Sequence, residues 1–87
     1  MRRKLQILCI LMQLHTVHPV GMILKELLLG CHEEGFTDLD ERSLLSLLDD
    51  MESHDLVSMK TDRLDATLKH WKRTEEGRVQ LKEANRI

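Results

Sequence analysis

Leu56-Val57-Ser58-Met59-Lys60-Thr61 and Thr67-Leu68-Lys69-His70-Trp71-Lys72-Arg73 are two short stretches in which polar and apolar residues roughly alternate, joined by the polar run Asp62-Arg63-Leu64-Asp65-Ala66. A period of two is the spacing at which a strand turns alternate side chains to one face, so the pair predicts a β-hairpin. Everything before it, and the segment after it, follows the helical period instead. A single hairpin set among helices defines an α+β chain with the hairpin as its one extended element.

Working back from the hairpin, Leu44, Leu45, Leu47, Leu48 and Met51 form the buried stripe of a third helix that fades near Ser53-His54. Thr37, Asp38 and Asp40 offer N-cap oxygens ahead of it, with Glu41 three residues after Asp38 in capping-box position. Met22, Ile23, Leu24, Leu27, Leu28 and Cys31 recur at helical spacing and predict a second helix, ended at Glu33-Glu34-Gly35. Leu5, Ile7, Leu8, Cys9, Ile10, Leu11, Met12 and Leu14 are apolar on nearly every side of a first helix, which Pro19 terminates by biasing His18 away from helix. Such a helix is either the central element of the bundle or packs on a second copy of the chain as well. Working forward, Thr74-Glu75-Glu76 caps a last helix carrying Val79 and Leu81, with Gly77 weakening its first turn.

The chain has 87 residues, 41% apolar and 32% charged, which accommodates one globular domain over residues 1–87 and no second core. Phe36 and Trp71 are its only aromatic residues, so leucines and five methionines must fill the interior, and a surface that stacks bases is not expected. Cys9 and Cys31 lie inside Leu-rich segments and read as reduced, structural thiols, a usage that fits the cytoplasm. Arg2-Arg3-Lys4 ahead of Leu5 to Leu14 imitates a secretory leader, but Gln6 and Gln13 interrupt the run and no small-residue cleavage site follows. A run this short does not span a bilayer, which takes roughly 20 residues, so no membrane partner is expected.

Helix, helix, helix, hairpin, helix is the order of a winged helix-turn-helix, and two local stretches carry the same likeness. Met51-Glu52-Ser53-His54-Asp55-Leu56-Val57 resembles the passage from third helix to first wing strand in winged-helix regulators, where an acidic pair and a Gly usually precede Leu-Val. Lys72-Arg73-Thr74-Glu75-Glu76-Gly77-Arg78 resembles the Leu-Thr-Glu-Glu-Gly-Arg that follows the second wing strand in many bacterial regulators. The likeness runs over about residues 5–84 and implies a winged helix: a three-helix bundle, a two-stranded wing and a C-terminal helix, serving as a DNA-binding domain of bacterial or phage-like transcription regulation. Two positions depart from the pattern. His54-Asp55 stands where a Gly is usual, and Arg73 stands where the family has an apolar residue.

The net charge of −2 hides an uneven distribution: residues 1–31 carry +3, residues 32–55 carry −8 and residues 56–87 carry +3. DNA-binding members of the fold put the third helix in the major groove, where phosphates supply most of the non-specific attraction. The exposed positions expected on that helix are Glu41, Arg42, Ser43, Ser46, Asp49, Asp50 and Ser53, an unfavourable field for phosphate. The hairpin is the opposite case. Lys60, Arg63, Lys69, Lys72 and Arg73, with Arg2, Arg3 and Lys4 of the N-terminus, are the expected DNA contacts. The alternative reading of the hairpin residues is that they are ordinary strand-edge lysines that keep an exposed hairpin from aggregating.

Other chemistries are weaker. His15 and His18, and the adjacent Cys31-His32, lack the spacing of a strong metal site, and their ordinary use is capping or surface. Asp49, Asp50 and Glu52 on one helix read as a solvated face rather than catalytic carboxylates. Trp71 reads as the plug between hairpin and helices. No enzyme activity, cofactor or metal is expected. Two functions stand: a DNA-binding regulator or accessory protein contacting duplex DNA through the wing, with a homodimer formed through the first helix, or a protein-interaction module whose acidic third helix docks on a basic partner without binding DNA.

Overall fold

The computed structural model of the chain describes residues 2–87. Its elements follow in the order α1 (Arg2–Val17), α2 (Leu24–Glu33), α3 (Glu41–Ser53), β1 (Val57–Thr61), β2 (Lys69–Arg73) and α4 (Glu75–Glu83). The fold is α+β, four helices and one two-stranded antiparallel hairpin. Helix α1 is the central element, packed on α2, β2 and α4. Its Leu8, Ile10, Leu11 and Leu14 are buried, while Leu5 is exposed and Ile7, Cys9 and Met12 are half-buried, so its apolar surface exceeds what its neighbours cover. The core unites these residues with Leu27, Cys31, Leu39, Leu44, Leu47, Leu48, Met51, Val57, Trp71 and Leu81.

Several boundaries differ from the sequence expectation, each for a local reason. Met22 and Ile23 are not helical: Met22 exchanges two backbone hydrogen bonds with Trp71, N–H to carbonyl in each direction at 2.9 Å. Ile23 becomes the N-cap of α2, its N–H donating to Glu26 Oε1 at 3.1 Å. Asp40, not Asp38, caps α3 by accepting from the Ser43 N–H at 2.8 Å, and the expected capping box from Asp38 to Glu41 is not formed because the helix begins at Glu41, leaving Asp38 ahead of the cap, where it pairs with Arg2. Leu45 and Val79 are half-buried rather than core. Arg2, Arg3 and Lys4 lie in the first turn of α1.

Trp71 sends both its backbone groups to Met22, so its partner across the hairpin, Met59, forms the non-hydrogen-bonded pair, in which side chains approach most closely. The indole is 4% exposed and packs on the helical body. Gly21 makes the bridge feasible: a Cβ there would lie 2.8 Å from the Trp71 carbonyl oxygen, inside any tolerable contact.

The passage from α3 to β1 turns on Asp55, which holds a left-handed φ of 61°. Leu56 N–H reaches back to the Met51 carbonyl at 2.9 Å, closing the helix end. Thr74 ties this corner to α4: its Oγ1 donates to the Asp55 carbonyl and accepts from the Gly77 N–H at 3.1 Å, and its own N–H donates to the Leu56 carbonyl at 3.1 Å. Gly77 is buried, and a Cβ on it would stand 2.5 Å from the Leu56 carbonyl oxygen and 3.0 Å from Leu11 Cδ2. Its value is close approach, which outweighs its poor helix propensity.

Two substitutions test this corner. Gly77→Ala, which in an unencumbered helix gains up to about 1 kcal/mol, is expected to lose about 1–3 kcal/mol here through overpacking. Asp55→Gly is expected to add about 0.5–1 kcal/mol by relieving the left-handed residue. Urea denaturation of the two chains beside the parent checks both signs.

Candidate nucleic-acid interface

The hairpin pairs Val57 with Arg73, Ser58 with Lys72, Met59 with Trp71, Lys60 with His70 and Thr61 with Lys69. Directly opposed residues share a face, so the register divides the basic residues that looked like one cluster. Val57, Met59, Trp71 and Arg73 turn toward the helices. Ser58, Lys60, His70 and Lys72 form the outer face, where Lys60 and Lys72 are exposed. Lys69 has the parity of the inner face but lies beyond the core and is exposed, and Arg63 stands in the connecting loop.

Arg73 is half-buried and turned inward, its Nε donating to His15 Nδ1 at 3.0 Å. The guanidinium is accommodated there because it reaches an imidazole at the end of α1, and His15 thereby acquires a structural partner. Arg73 is therefore spent within the fold, unlike Lys60, Lys69 and Lys72.

The loop is not uniformly basic either. Asp62 Oδ1 accepts from the N–H groups of Leu64 and Asp65 at 2.8 and 3.2 Å, and Asp65 Oδ1 accepts from the Thr67 N–H and hydroxyl at 3.0 and 2.6 Å. His70 Nε2 lies 3.4 Å from Asp62 Oδ2. These bonds hold both carboxyls below the usual range: for Asp62 the Leu64 N–H is the main cause, for Asp65 the Thr67 hydroxyl. The two carboxylates that shape the turn flank Arg63, so the positive surface of the hairpin lies on its strands and not at its tip. Leu64, read from sequence as part of a polar connector, is 99% exposed there. Nothing in the spacing identified it, because its exposure follows from the Asp62 turn.

The N-terminal cations are also partly used. Arg2 pairs with Asp38 and stacks over Phe36, 5.7 Å from the ring centroid, and Arg3 pairs with Asp50 on α3. The Arg2 guanidinium is the main reason the Asp38 carboxyl titrates below its ordinary value. With no acidic residue in the first turn of α1, these partners from other elements offset cations at the positive end of the helix dipole. Lys4 is exposed, and among the described residues it joins no ion pair.

On α3, Glu41, Arg42, Ser43, Ser46, Asp49 and Asp50 are all exposed. Among the described residues Glu41, Asp49 and Glu52 have no ion-pair partner, so this face remains anionic after Arg3 has compensated Asp50. His32 Nε2–H donates to the Leu39 carbonyl at 2.6 Å, and Cys31 faces Cys9 instead. Among the described residues no group of three His, Cys, Asp or Glu side chains is placed to hold a metal ion, and no helix is long and apolar enough to cross a membrane.

No protein-family profile matches the chain, and no curated protein is significantly similar to it in sequence.

The depressed carboxyls carry a pH dependence of definite sign. Asp38, Asp40, Asp62, Asp65 and Glu75 all titrate below their ordinary values in the fold. A depressed folded pKa contributes stability that is present above the unfolded value, near 4, and is lost as pH falls through the folded value. Thermal melts taken from about pH 6 to about pH 2 should show Tm level at first and falling below about pH 4. Asp62→Asn, which keeps an acceptor for the Leu64 N–H, should make that fall shallower.

Proposed function

We propose that the chain is a winged-helix domain of a DNA-binding regulator or accessory protein, and that it holds duplex DNA by the outer face of its hairpin rather than by α3. The observation that carries this is the placement of Lys60 and Lys72, diagonal neighbours across the two strands, on the exposed face of the hairpin. Neither belongs to an ion pair among the described residues. Lys69 extends that surface toward the tip. Such a strip matches a run of phosphates, and its contribution is independent of base sequence. The element order, the extended bridge from Met22 to β2 and the Thr74–Gly77 corner all support the winged-helix assignment, which in turn makes the hairpin the wing.

An anionic α3 sets the docking mode. Placed in a major groove it would bring Glu41, Asp49 and Glu52 against phosphates, so the duplex is held with α3 tilted away and the wing along the backbone. The exposed anionic face of α3 favours a second reading, in which α3 docks on a lysine- or arginine-rich protein surface.

Fluorescence anisotropy with a labelled random-sequence duplex separates the two. For three lysine contacts, raising salt from about 50 to about 200 mM should weaken binding roughly fortyfold. Lys60→Glu with Lys72→Glu should abolish binding, and Asp49→Lys with Asp50→Lys should strengthen it. Undiminished affinity in the Lys60/Lys72 chain would remove the wing from the interface. Absence of binding even at low salt would leave the α3 reading, for which a polylysine peptide should bind and release on Glu41→Gln, Asp49→Asn and Glu52→Gln.

A further inference from the structure

Helices α1 and α2 cross closely. A Cβ added to Gly30 on α2 would meet the Gln13 side chain of α1 at 2.5 Å, and near this crossing Cys9 and Cys31 bring their sulfurs to 4.0 Å. The two thiols differ in access. Cys31 is wholly buried, whereas Cys9 is half-buried and lines a groove of about 670 Å³ together with Leu5, Met12, Phe36 and Arg86.

We propose that Cys9 and Cys31 are a hydroperoxide-reactive thiol pair, in which Cys9 is oxidised from the groove and Cys31 closes a disulfide that staples α1 to α2.

The electrostatics run in the required direction. A thiolate on Cys9 is favoured first by the Cys31 S–H, with Gln13 and the charge of Arg86 adding to it, against the opposing effects of burial and Glu34. Cys31 is pushed up by the same shared hydrogen bond and by its burial, so it keeps its proton while Cys9 reacts. The Cys9 thiolate attacks one oxygen of the O–O bond, taking that oxygen as Cys9 sulfenic acid; the other leaves as alkoxide or hydroxide and takes a proton to become an alcohol or water. Cys31 sulfur then attacks the sulfenic sulfur and the S–O bond breaks. Hydroxide departs with the Cys31 proton as water. Two thiols have lost two electrons to one peroxide, and no other reactant is needed. Closing the bond requires the sulfurs to move from 4.0 Å to about 2.05 Å.

The full-length chain treated with hydrogen peroxide, quenched with N-ethylmaleimide and weighed intact under denaturing, non-reducing conditions decides the matter. The expected product is a monomer lighter by two hydrogens, unlabelled by the maleimide, restored by dithiothreitol and yielding a linked peptide pair containing Cys9 and Cys31. In Cys31→Ser, or Cys31→Ala should the serine chain fail to fold, Cys9 should stop at a sulfenic acid trapped by dimedone. In Cys9→Ser, Cys31 should react at least about tenfold more slowly. Oxidation of Cys9 to sulfinic acid with Cys31 still free would overturn the proposal. So would links formed only between chains, or a Cys31 that reacts equally fast without Cys9.

Discussion

Trp71 is hydrogen-bonded through both of its backbone groups to Met22 and packed through its indole in the helical core, and on that double attachment the relation of hairpin to helices depends. A two-stranded hairpin by itself is marginal in water because it has too little apolar surface to offset its ordering. Here β2 gains a second partner in Met22 and a buried aromatic anchor at the residue that meets it, Trp71. The requirement propagates outward. Gly21 must lack a side chain for Met22 to approach the Trp71 carbonyl, and α2 must start two residues later than its apolar spacing suggests.

The second fixed point is the corner where α3, β1 and α4 meet. Thr74 joins the three with one hydroxyl and one N–H, and Gly77 lets the first turn of α4 lie against the Leu56 carbonyl. This gives the Thr-Glu-Glu-Gly run a physical content. Threonine caps, glycine permits contact, and the glutamates sit in the first turn, where a negative charge suits the helix dipole. The run is a packing device first, and it orients the hairpin as a consequence.

Charge is redistributed by the same packing. Cations that stand apart in sequence from the acidic middle are folded onto it, Arg2 on Asp38 and Arg3 on Asp50, while Arg73 turns to His15. Exposed pairs of this kind contribute little to stability, but they remove two cations from any external interface. What is left is a polarised surface: lysines on the outer face of the hairpin, carboxylates along α3. That polarity, rather than the net charge, is what a partner meets.

Residue pattern alone determined the kinds of element and their order, because helix and strand periods differ and each repeats within its own segment. The hairpin, the leucine stripe of α3, the burial of Trp71 and the exposed α3 positions were all legible from local spacing. The division of the basic hairpin residues was not, since it depends on a cross-strand register that places Lys60 beside His70 and turns Arg73 inward. Neither was the strand-like bridge at Met22, the use of Asp40 in place of Asp38 as cap, nor the meeting of Cys9 with Cys31. Each of these is a choice among local options of similar energy, and contacts between residues far apart in the chain settle it.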